Sequence, residues 1–538
     1  MDSISLNATG IPSLLDTSNV SSTTILLNLA LVGLGAAVLK RIVSKRSVPL
    51  PPGPKGWPVI GSLFLMVQSA NIKRWHAYAQ WSQQWGSMVY MTVLGQGMLI
   101  INSRQLALEY LEKRSTVTSD RPQLFVATQL GINRFITLDK DGPRFRDQRR
   151  MMAGFMGSWA VLERFHPAFE RETSTLLKTL LDEPKDFATH VHRLVGAVIL
   201  PFVYGYHPNF NGEDPVMEST ERGVEVFLDA TKFGSFIVDS FPTLRFIPSW
   251  LPGGGWKRML APWQAAIDNM LDVPYVFTQK KMSEGMAEPC FVTSQIEKEG
   301  GKKLNPEREE AIKLTANAIW GGASDTSPAA LKTFFLMMML HPEIQRKAQA
   351  EIDAAIGPDG GLPNMQTRAK LPYIEAIFKE VLRMYPVTPL GFPHAAREDD
   401  VLDGYLVPKS TVIMVNVWEI LHDPKYYSDP FAFKPERFLT TPTHESELDP
   451  SDVIFGFGRR ICPGNKVANL LSFLAISKIL AVFDITKPVD ASGKPIEPVI
   501  DYNDGTISHP APFECAIKPR SAKAVELIHE AAAAAAEA

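Results

Sequence analysis

The chain has 538 residues, and its shares of hydrophobic (45%) and charged (21%) residues are those of a globular protein rather than a disordered one. Its formal net charge at pH 7 is −3, which gives no indication of a nucleic-acid partner. The cysteines Cys290, Cys462 and Cys515 are odd in number and far apart, which argues against a disulfide framework and for a reducing compartment around most of the chain.

An apolar segment without charged side chains occupies residues 21–39. A helix of this length reaches about 28 Å, close to the thickness of a bilayer's hydrocarbon core. Lys40 and Arg41 follow directly, whereas residues 1–20 contain no basic side chain, so the positive-inside rule places residues 1–20 in the lumen and the rest of the chain in the cytosol. A cleaved signal peptide would need a basic start and a shorter apolar region. We therefore expect a single-pass transmembrane anchor.

A basic and proline-rich hinge at residues 40–61 follows the anchor. Its prolines disfavour helix, so we expect a stiff spacer, or at least a plain linker, between the membrane and the body of the chain. The body, residues 62–525, is predicted to be a single catalytic domain, and residues 526–538 form an alanine-rich tail.

The longest predicted helix begins at Asn305 and Pro306, a favourable N-cap and first-turn pair, and continues without a break to the residue before His341. Its middle is apolar nearly all round, so it should be buried and cross the domain. Gly321 and Pro328 weaken the helix at positions where packing alone does not require them.

Shorter helices are predicted at residues 343–356 and 373–384, and strand-like runs at 400–407 and 411–417. These elements indicate a fold that is mainly α with minor β. The composition does not shift a second time along the chain, so no fused redox domain is expected.

The most specific motif comprises Phe455, Gly458, Arg460, Cys462 and Gly464, which fit FxxGxRxCxG at every fixed position. The motif resembles the haem-binding loop of the cytochrome P-450 superfamily. The resemblance implies that Cys462 is the axial thiolate ligand of a haem iron. A helix start just after Cys462 would lower the pKa of its thiol. Gly458 and Gly464 would let the backbone approach the porphyrin, Arg460 would bind a haem propionate, and Phe455 would shield the sulfur from water.

Two further motifs agree with this family. Glu380 and Arg383 give ExxR on one face of a helix, and Arg437 lies in a PERF element. An ExxR pair alone is most often a solvated helical pair. With PERF and the cysteine loop downstream, the resemblance implies a buried ionic cluster with a structural role.

The resemblance also suggests two more haem-binding residues. Arg149 falls where relatives carry the arginine of WxxxR, with Phe145 in place of the tryptophan, and it is expected to bind a propionate. His394 falls where relatives place a propionate-binding histidine or arginine. The alternative for His394 is an ordinary core or surface histidine.

Asp325 and Thr326 resemble the acid–alcohol pair of the family's oxygen-activation motif, although Ala323 and Ser327 depart from its pattern. A polar pair in the middle of an apolar helix is costly unless it serves a purpose. The pair is expected to deliver protons during catalysis. The alternative is a threonine that satisfies a backbone carbonyl beside a proline kink.

The resemblance covers nearly the whole chain and implies a cytochrome P-450 fold preceded by one N-terminal transmembrane helix. Within the family the sequence is similar to fungal microsomal members of the O-methylsterigmatocystin oxidoreductase-like group. That implies a monooxygenase in the endoplasmic reticulum membrane that contains haem b (heme b) and oxidises a lipophilic secondary metabolite such as a terpenoid or polyketide. Electrons would come from NADPH through a separate NADPH–cytochrome P-450 reductase, with cytochrome b5 as a further candidate partner.

The expected pocket segments are residues 120–136, 225–250, 386–393 and 504–511. Two alternatives remain open at this point: a reductase-independent isomerase or peroxide-rearranging enzyme, and a non-catalytic protein that binds haem or lipophiles. A basic docking face for the reductase is predicted at four residues, Arg146, Arg150, Arg459 and Lys466.

Overall fold

The computed structural model describes residues 48–232, 234–301, 304–357 and 360–537, together with Gly33 and Gly35. The predicted anchor lies outside the described residues apart from these two glycines. Within the described ranges, the helices at Pro184–Tyr204 and Asn465–Val482 are long and apolar enough to cross a membrane, but 67% and 72% of their apolar windows are buried inside the protein. They are therefore helices of the core.

Helices dominate the described part of the chain. The α-helices are α1 Leu63–Gln68, α2 Arg74–Trp85, α3 Arg104–Ala107, α4 Ser115–Thr118, α5 Phe125–Gln129, α6 Pro143–Met156, α7 Trp159–Leu162, α8 His166–Asp182, α9 Phe187–Tyr204, α10 Pro215–Thr231, α11 Ile237–Ser240, α12 Leu260–Ser283, α13 Phe291–Lys298, α14 Pro306–Ser324, α15 Thr326–Leu340, α16 Pro342–Ile356, α17 Pro372–Met384, α18 Val417–Leu421, α19 Ser451–Ile454, α20 Asn465–Val482 and α21 Ala522–Glu537. A π-helix spans Leu108–Lys113, and 3₁₀ turns occupy Ile132–Arg134, Glu163–Phe165, Pro184–Asp186, Pro242–Phe246, Gly255–Arg258, Arg368–Lys370, Pro435–Phe438 and Gly458–Arg460.

The strands form small sheets at the side of the helical body. The strands are β1 Met88–Val93, β2 Gln96–Ile101, β3 His394–Ala395, β4 Asp400–Leu402, β5 Tyr405–Val407, β6 Val412–Val415, β7 Phe483–Thr486 and β8 Ala516–Pro519. The largest sheet has the order β1-β2-β6-β3, with β2 and β6 parallel and the other pairs antiparallel. The pairs β4–β5 and β7–β8 are separate antiparallel ribbons. The mainly α fold with minor β is confirmed.

The strand-like run at 400–407 is the β4–β5 hairpin, whose turn residues Asp403 and Gly404 both have positive φ, as a tight hairpin turn requires. The strand predicted at 411–417 is wrong at its C-terminal end, because β6 ends at Val415. Asn416 leaves the strand and caps α18, since its side chain accepts a hydrogen bond from the Glu419 amide.

The single long helix is also a wrong prediction, because α14 and α15 are separated at Asp325. Pro328 has no amide hydrogen, and its ring crowds the carbonyl of Ser324 one turn earlier. Near the break, the Thr326 hydroxyl, Oγ1, also donates to a different carbonyl, that of Gly322, at 2.6 Å. The predicted start is confirmed, since the Asn305 side chain accepts a hydrogen bond from the Arg308 amide at 2.7 Å. The helices predicted at 343–356 and 373–384 are confirmed as α16 and α17.

The C-terminal part of the hinge is attached to the sheets rather than free. The Pro52 carbonyl accepts a hydrogen bond from the Tyr90 amide of β1 at 2.8 Å, and the Pro49 carbonyl accepts one from the Leu406 amide of β5 at 2.7 Å. These bonds set the direction in which the chain leaves the body.

Candidate active site

The cysteine loop joins two helices of the core. Phe455 ends α19, Gly456 reverses the chain at a φ of +81°, and Gly464 begins α20. The Cys462 amide donates to the Phe455 carbonyl at 2.7 Å and closes the loop. Because α20 is buried on nearly all sides, the position of Cys462 is determined by the core and not by the loop alone.

The electrostatic environment of Cys462 has opposing contributions. Burial raises the pKa of the thiol, while the Gly464 backbone N–H and the positive charge of Arg149 lower it, with a net increase. Although burial acts on the thiol, Cys462 is still accessible to solvent. The sulfur therefore lies in a recess that is open on one side. A thiol in such a place ionises when a metal cation binds it. Cys462 therefore suits a metal ligand better than a free reactive thiolate.

Gly458 packs closely against a neighbouring segment of the protein, and its approach to a porphyrin stays a prediction. Its φ is +54°, and a Cβ there would lie 2.4 Å from the Leu111 carbonyl oxygen and 3.1 Å from the Glu112 Cα. Glycine is therefore needed for close packing against the π-helix Leu108–Lys113. A Cβ on Gly464 would lie 3.8 Å from the Cys462 sulfur, so that glycine borders the ligand side.

Arg460 is held by backbone on one side and by an aromatic ring on the other. Its guanidinium donates to the carbonyls of Ser119 (2.8 Å), Ile136 (2.8 Å) and Asp139 (2.5 Å). It also stacks over Phe145, with its central carbon 3.8 Å from the ring centroid. Phe145 thus supports Arg460 by a cation–π contact. Three of the five N–H groups are used for carbonyls, which leaves others for an anion.

Arg121 is a buried cation that the sequence motifs did not identify. It donates to the carbonyls of Phe392 (2.8 Å) and Pro393 (2.7 Å), and within the described residues its Nε has no hydrogen-bond partner. Burial and the charge of Arg460 lower the pKa of Arg121. The pKa of His394 is lowered by burial and by the charges of Arg121 and Arg460. Arg121 lies in the predicted pocket segment 120–136, and that position was the signal that could have identified it.

Arg121, Arg460 and His394 therefore form a cluster of mutually repelling cationic or basic groups. The His394 Nδ1 contacts the Thr118 carbonyl at 2.9 Å, so Nε2 is the ring nitrogen that can bind another group. A buried cationic cluster with an unused donor fits an anionic ligand such as a pair of carboxylates. A haem with two propionates fits this cluster, and the Cys462 sulfur fits its iron.

Arg149 lies beside the cysteine loop. It donates to the Ile461 carbonyl at 2.7 Å, and burial lowers the pKa of its guanidinium while Cys462 raises it. The structure thus brings Arg149 to the sulfur of Cys462. A propionate contact for Arg149 stays a prediction.

The structure brings Glu380, Arg383 and Arg437 together in the interior. Glu380 and Arg383 have no exposed surface, and Arg383 holds both carboxylate oxygens, at 2.7 and 2.9 Å. Arg437 contacts Glu380 at 3.2 Å and Glu447 at 2.6 Å. Glu447 is a fourth member that the motifs did not reveal. The solvated-pair alternative does not hold in this structure.

The cluster also orders the loop before PERF. The two guanidinium groups donate to the carbonyls of Leu421, Ser428, Asp429, Pro430 and Ala432. Buried carbonyls need such donors, so the cluster satisfies a stretch of irregular backbone between α18 and the cysteine loop.

Asp325 and Thr326 lie at the break between α14 and α15. The Asp325 carboxylate contacts the Nε2 of His509 at 3.0 Å, a partner that the sequence did not suggest. Burial alone would raise the pKa of Asp325, but the hydrogen bond from His509 and the nearby basic side chains outweigh it, so the pKa is lowered. Asp325 is thus a carboxylate near pH 7.

The four predicted pocket segments meet at one cavity. Its walls include Pro122 and Leu124 from the first segment, Phe227 from the second, Leu390 from the third and Thr506 from the fourth. The lining is mostly apolar. This convergence confirms that the segments line a common space.

Comparisons with known proteins agree with this geometry. The family model for Cytochrome P450 matches residues 51–513. A Postia placenta protein named "Cytochrome P450 monooxygenase 208" is 46% identical and covers 89% of this chain and 92% of the relative. "Cytochrome P450 monooxygenase claR" of Ampulloclitocybe clavipes is 40% identical and covers 89% of this chain and 88% of the relative.

A solved structure of a zebra fish cytochrome P450 with abiraterone covers 83% of this chain and 100% of that chain, with a TM-score of 0.65 and 24% identity. That likeness concerns the fold alone. The matches to the family model and to the fungal relatives show that the chain belongs to the cytochrome P-450 family and is a haem-thiolate monooxygenase.

Proposed function

We propose that the protein inserts one oxygen atom of O₂ into a lipophilic secondary metabolite, such as a terpenoid or polyketide. Its electrons would come from NADPH through a separate NADPH–cytochrome P-450 reductase, with cytochrome b5 as a further candidate donor. The observation that carries the proposal is the pairing of the Cys462 recess with the guanidinium groups of Arg121 and Arg460 and the imidazole of His394, because the two together match a haem and its propionates.

In this proposal Cys462 binds the iron of haem b, and Arg121, His394, Arg460 and Arg149 are available to the propionates. The haem supplies dioxygen activation, since a thiolate ligand donates electron density that favours O–O cleavage. The Gly464 N–H stabilises the negative sulfur.

The distal residues would manage protons. The lining of the described cavity is mostly apolar, which suits a lipophilic substrate. The Thr326 hydroxyl donates to the Gly322 carbonyl, so its oxygen lone pairs can hold an ordered water. Asp325 would pass protons toward that water. This acid–alcohol pair favours a monooxygenase over an isomerase or a lipophile carrier, for which proton delivery has no use.

The proposed electron donor would approach the side of the protein that carries Arg150 and Lys466. Three basic residues of this predicted face are neutralised in part. Arg146 and Arg459 contact Asp141, at 3.3 and 2.6 Å, and Arg150 contacts Asp147 at 3.2 Å. Arg150 is the most exposed of these three arginines, so charge complementarity would depend mostly on Arg150 and Lys466.

We also propose that residues 21–39 anchor the protein in the endoplasmic reticulum membrane with the catalytic domain in the cytosol. Exposed apolar side chains at the start of the body, including Trp57, Val59 and Phe64, support a membrane beside this end. Deleting residues 1–47 should release much of the protein from microsomes while haem binding is retained. A truncated chain that stays fully membrane-integral would contradict a single anchor.

The activity itself is tested in vesicles that contain the purified full chain. The reduced protein should give a carbon-monoxide band near 450 nm, and NADPH consumption should require added reductase. A ligand screen for shifts of the Soret band then identifies the substrate class. Turnover of a lipophile without reductase would favour the isomerase alternative. Ligand binding without any turnover would favour the carrier alternative.

A further inference from the structure

The Asp325 carboxylate is connected to the loop at residues 504–511. Its Oδ1 lies 3.0 Å from the Nε2 of His509, and these side chains are 23% and 19% exposed. A carboxylate oxygen accepts, so Nε2 carries the hydrogen in this contact. Asp325 is thus joined to an imidazole that still reaches solvent.

His509 is held firmly in this position by its own loop. Its amide donates to the Asn503 side chain at 3.0 Å, and its carbonyl accepts from the Asn503 amide at 3.0 Å. The neighbouring Ser508 amide donates to the Val387 carbonyl at 2.8 Å. The backbone of His509 is therefore fixed by the protein, at a place from which its side chain contacts Asp325.

A second polar contact near Asp325 is less suited to carrying protons. Lys332 of α15 contacts the Nε2 of His192 of α9 at 2.7 Å. Burial and Lys332 lower the pKa of His192 to about 4, so it stays neutral near pH 7 and accepts from the ammonium. Among the described groups that act on Asp325, namely His509, His192 and Lys332, His509 is the one that contacts its carboxylate directly, and it is also partly exposed.

We propose that His509 is the proton donor to Asp325 and connects the acid–alcohol pair to bulk solvent. This inference rests on the proposed function, in which RH, O₂, two electrons and two protons give ROH and H₂O. For each proton, solvent first protonates the imidazole at Nδ1, and the imidazolium then passes its Nε2 proton to Oδ1 of Asp325, from which it moves through an ordered water at Thr326. Loss of the Nδ1 proton to solvent and uptake of one at Nε2 return the ring to its starting tautomer.

A purely structural role for His509 makes a different prediction. Gly505 and Thr506 of the same loop line the cavity, so a loop that shifts would change substrate affinity. A lost proton donor would instead slow proton-dependent turnover and leave ligand binding unchanged. His509→Gln keeps a side-chain hydrogen-bond donor for Asp325 but cannot carry a proton.

The experiment measures reductase-driven NADPH consumption in H₂O and D₂O with 7-ethoxycoumarin as an apolar probe. The variants are His509→Gln, Asp325→Asn and the double variant. His207→Gln is the matched control, because His207 contacts Glu288 at 2.9 Å in an exposed pair elsewhere. The carbon-monoxide band and the Soret titration with the probe are recorded for each variant.

We expect His509→Gln to slow NADPH consumption roughly tenfold, less than the full contribution of a general acid because water can still enter. Its solvent deuterium effect should exceed that of the wild type, and its probe affinity should be unchanged. The double variant should be no slower than Asp325→Asn, since both residues act on one path.

Unchanged rates and deuterium effects in His509→Gln would overturn the inference. A double variant whose rate of NADPH consumption falls by the product of the two single effects would overturn it as well. A loss of probe affinity would assign His509 to loop positioning instead. If the wild type itself consumes no NADPH with reductase, the proposed function fails and not this inference alone.

Discussion

Replacing Arg383 by alanine tests the buried ionic cluster most directly. The guanidinium makes paired bonds to Glu380 at 2.7 and 2.9 Å and donates to the carbonyls of Leu421 and Pro430 at 2.9 and 2.7 Å. These contacts are made in the interior, because Arg383 has no exposed surface. Removing it leaves a buried carboxylate with one remaining guanidinium, that of Arg437. It also takes a donor from three carbonyls, of which only that of Ala432 accepts from Arg437 as well.

Breaking a buried pair by removing one partner costs about 3–5 kcal/mol of unfolding free energy. At about 1.4 kcal/mol per factor of ten, this is a change of roughly 100- to 4,000-fold in the folding equilibrium. A domain whose free energy of unfolding has an ordinary value, about 5–15 kcal/mol, would lose a large part of it. We therefore expect little haem-loaded Arg383→Ala protein to accumulate.

The assay is haem content per protein and the urea midpoint for loss of the carbon-monoxide band. The matched control is Arg222→Ala, because Arg222 and Glu225 form an exposed pair at the same i, i+3 spacing and 2.8 Å. Such a pair contributes at most about 1 kcal/mol. A midpoint and haem content for Arg383→Ala equal to those of Arg222→Ala would refute the reasoning.

Three further predictions concern the reaction. Cys462→Ser should abolish the carbon-monoxide band near 450 nm, since the thiolate ligand is lost, and a retained band would remove Cys462 as the ligand. Thr326→Ala should keep haem and substrate binding but divert electrons into peroxide, measured as peroxide formed per NADPH consumed. Its control is Thr315→Ala, which removes a similar hydroxyl-to-carbonyl bond in α14. If Thr326→Ala forms no more peroxide per NADPH than the wild type, the relay is contradicted. Reversing Arg150 and Lys466 together to glutamate should slow the first electron transfer from reductase, most at low ionic strength because salt screens exposed charges. An equal rate at low salt would count against this docking face.

Some features could not be predicted although their residues were recognised. Arg460 was identified as a haem-binding residue from the motif, but its carbonyl partners Ser119 and Ile136 are far away in the chain. The same holds for the contact of Asp325 with His509. No helical or strand periodicity relates such pairs, because the spacing rules cover only residues within a few turns.

What the sequence by itself determined is local. The motif around Cys462, the start of α14 at Asn305 and the alternation of helices with short strands follow from spacing, capping and periodicity over a few residues. The tertiary structure decided which charges are buried together, that Arg121 joins the cluster of Arg460 and His394, and that His509 contacts Asp325. Burial gives these groups their partners and their pKa shifts, and burial depends on the packing of distant segments, which no local pattern encodes.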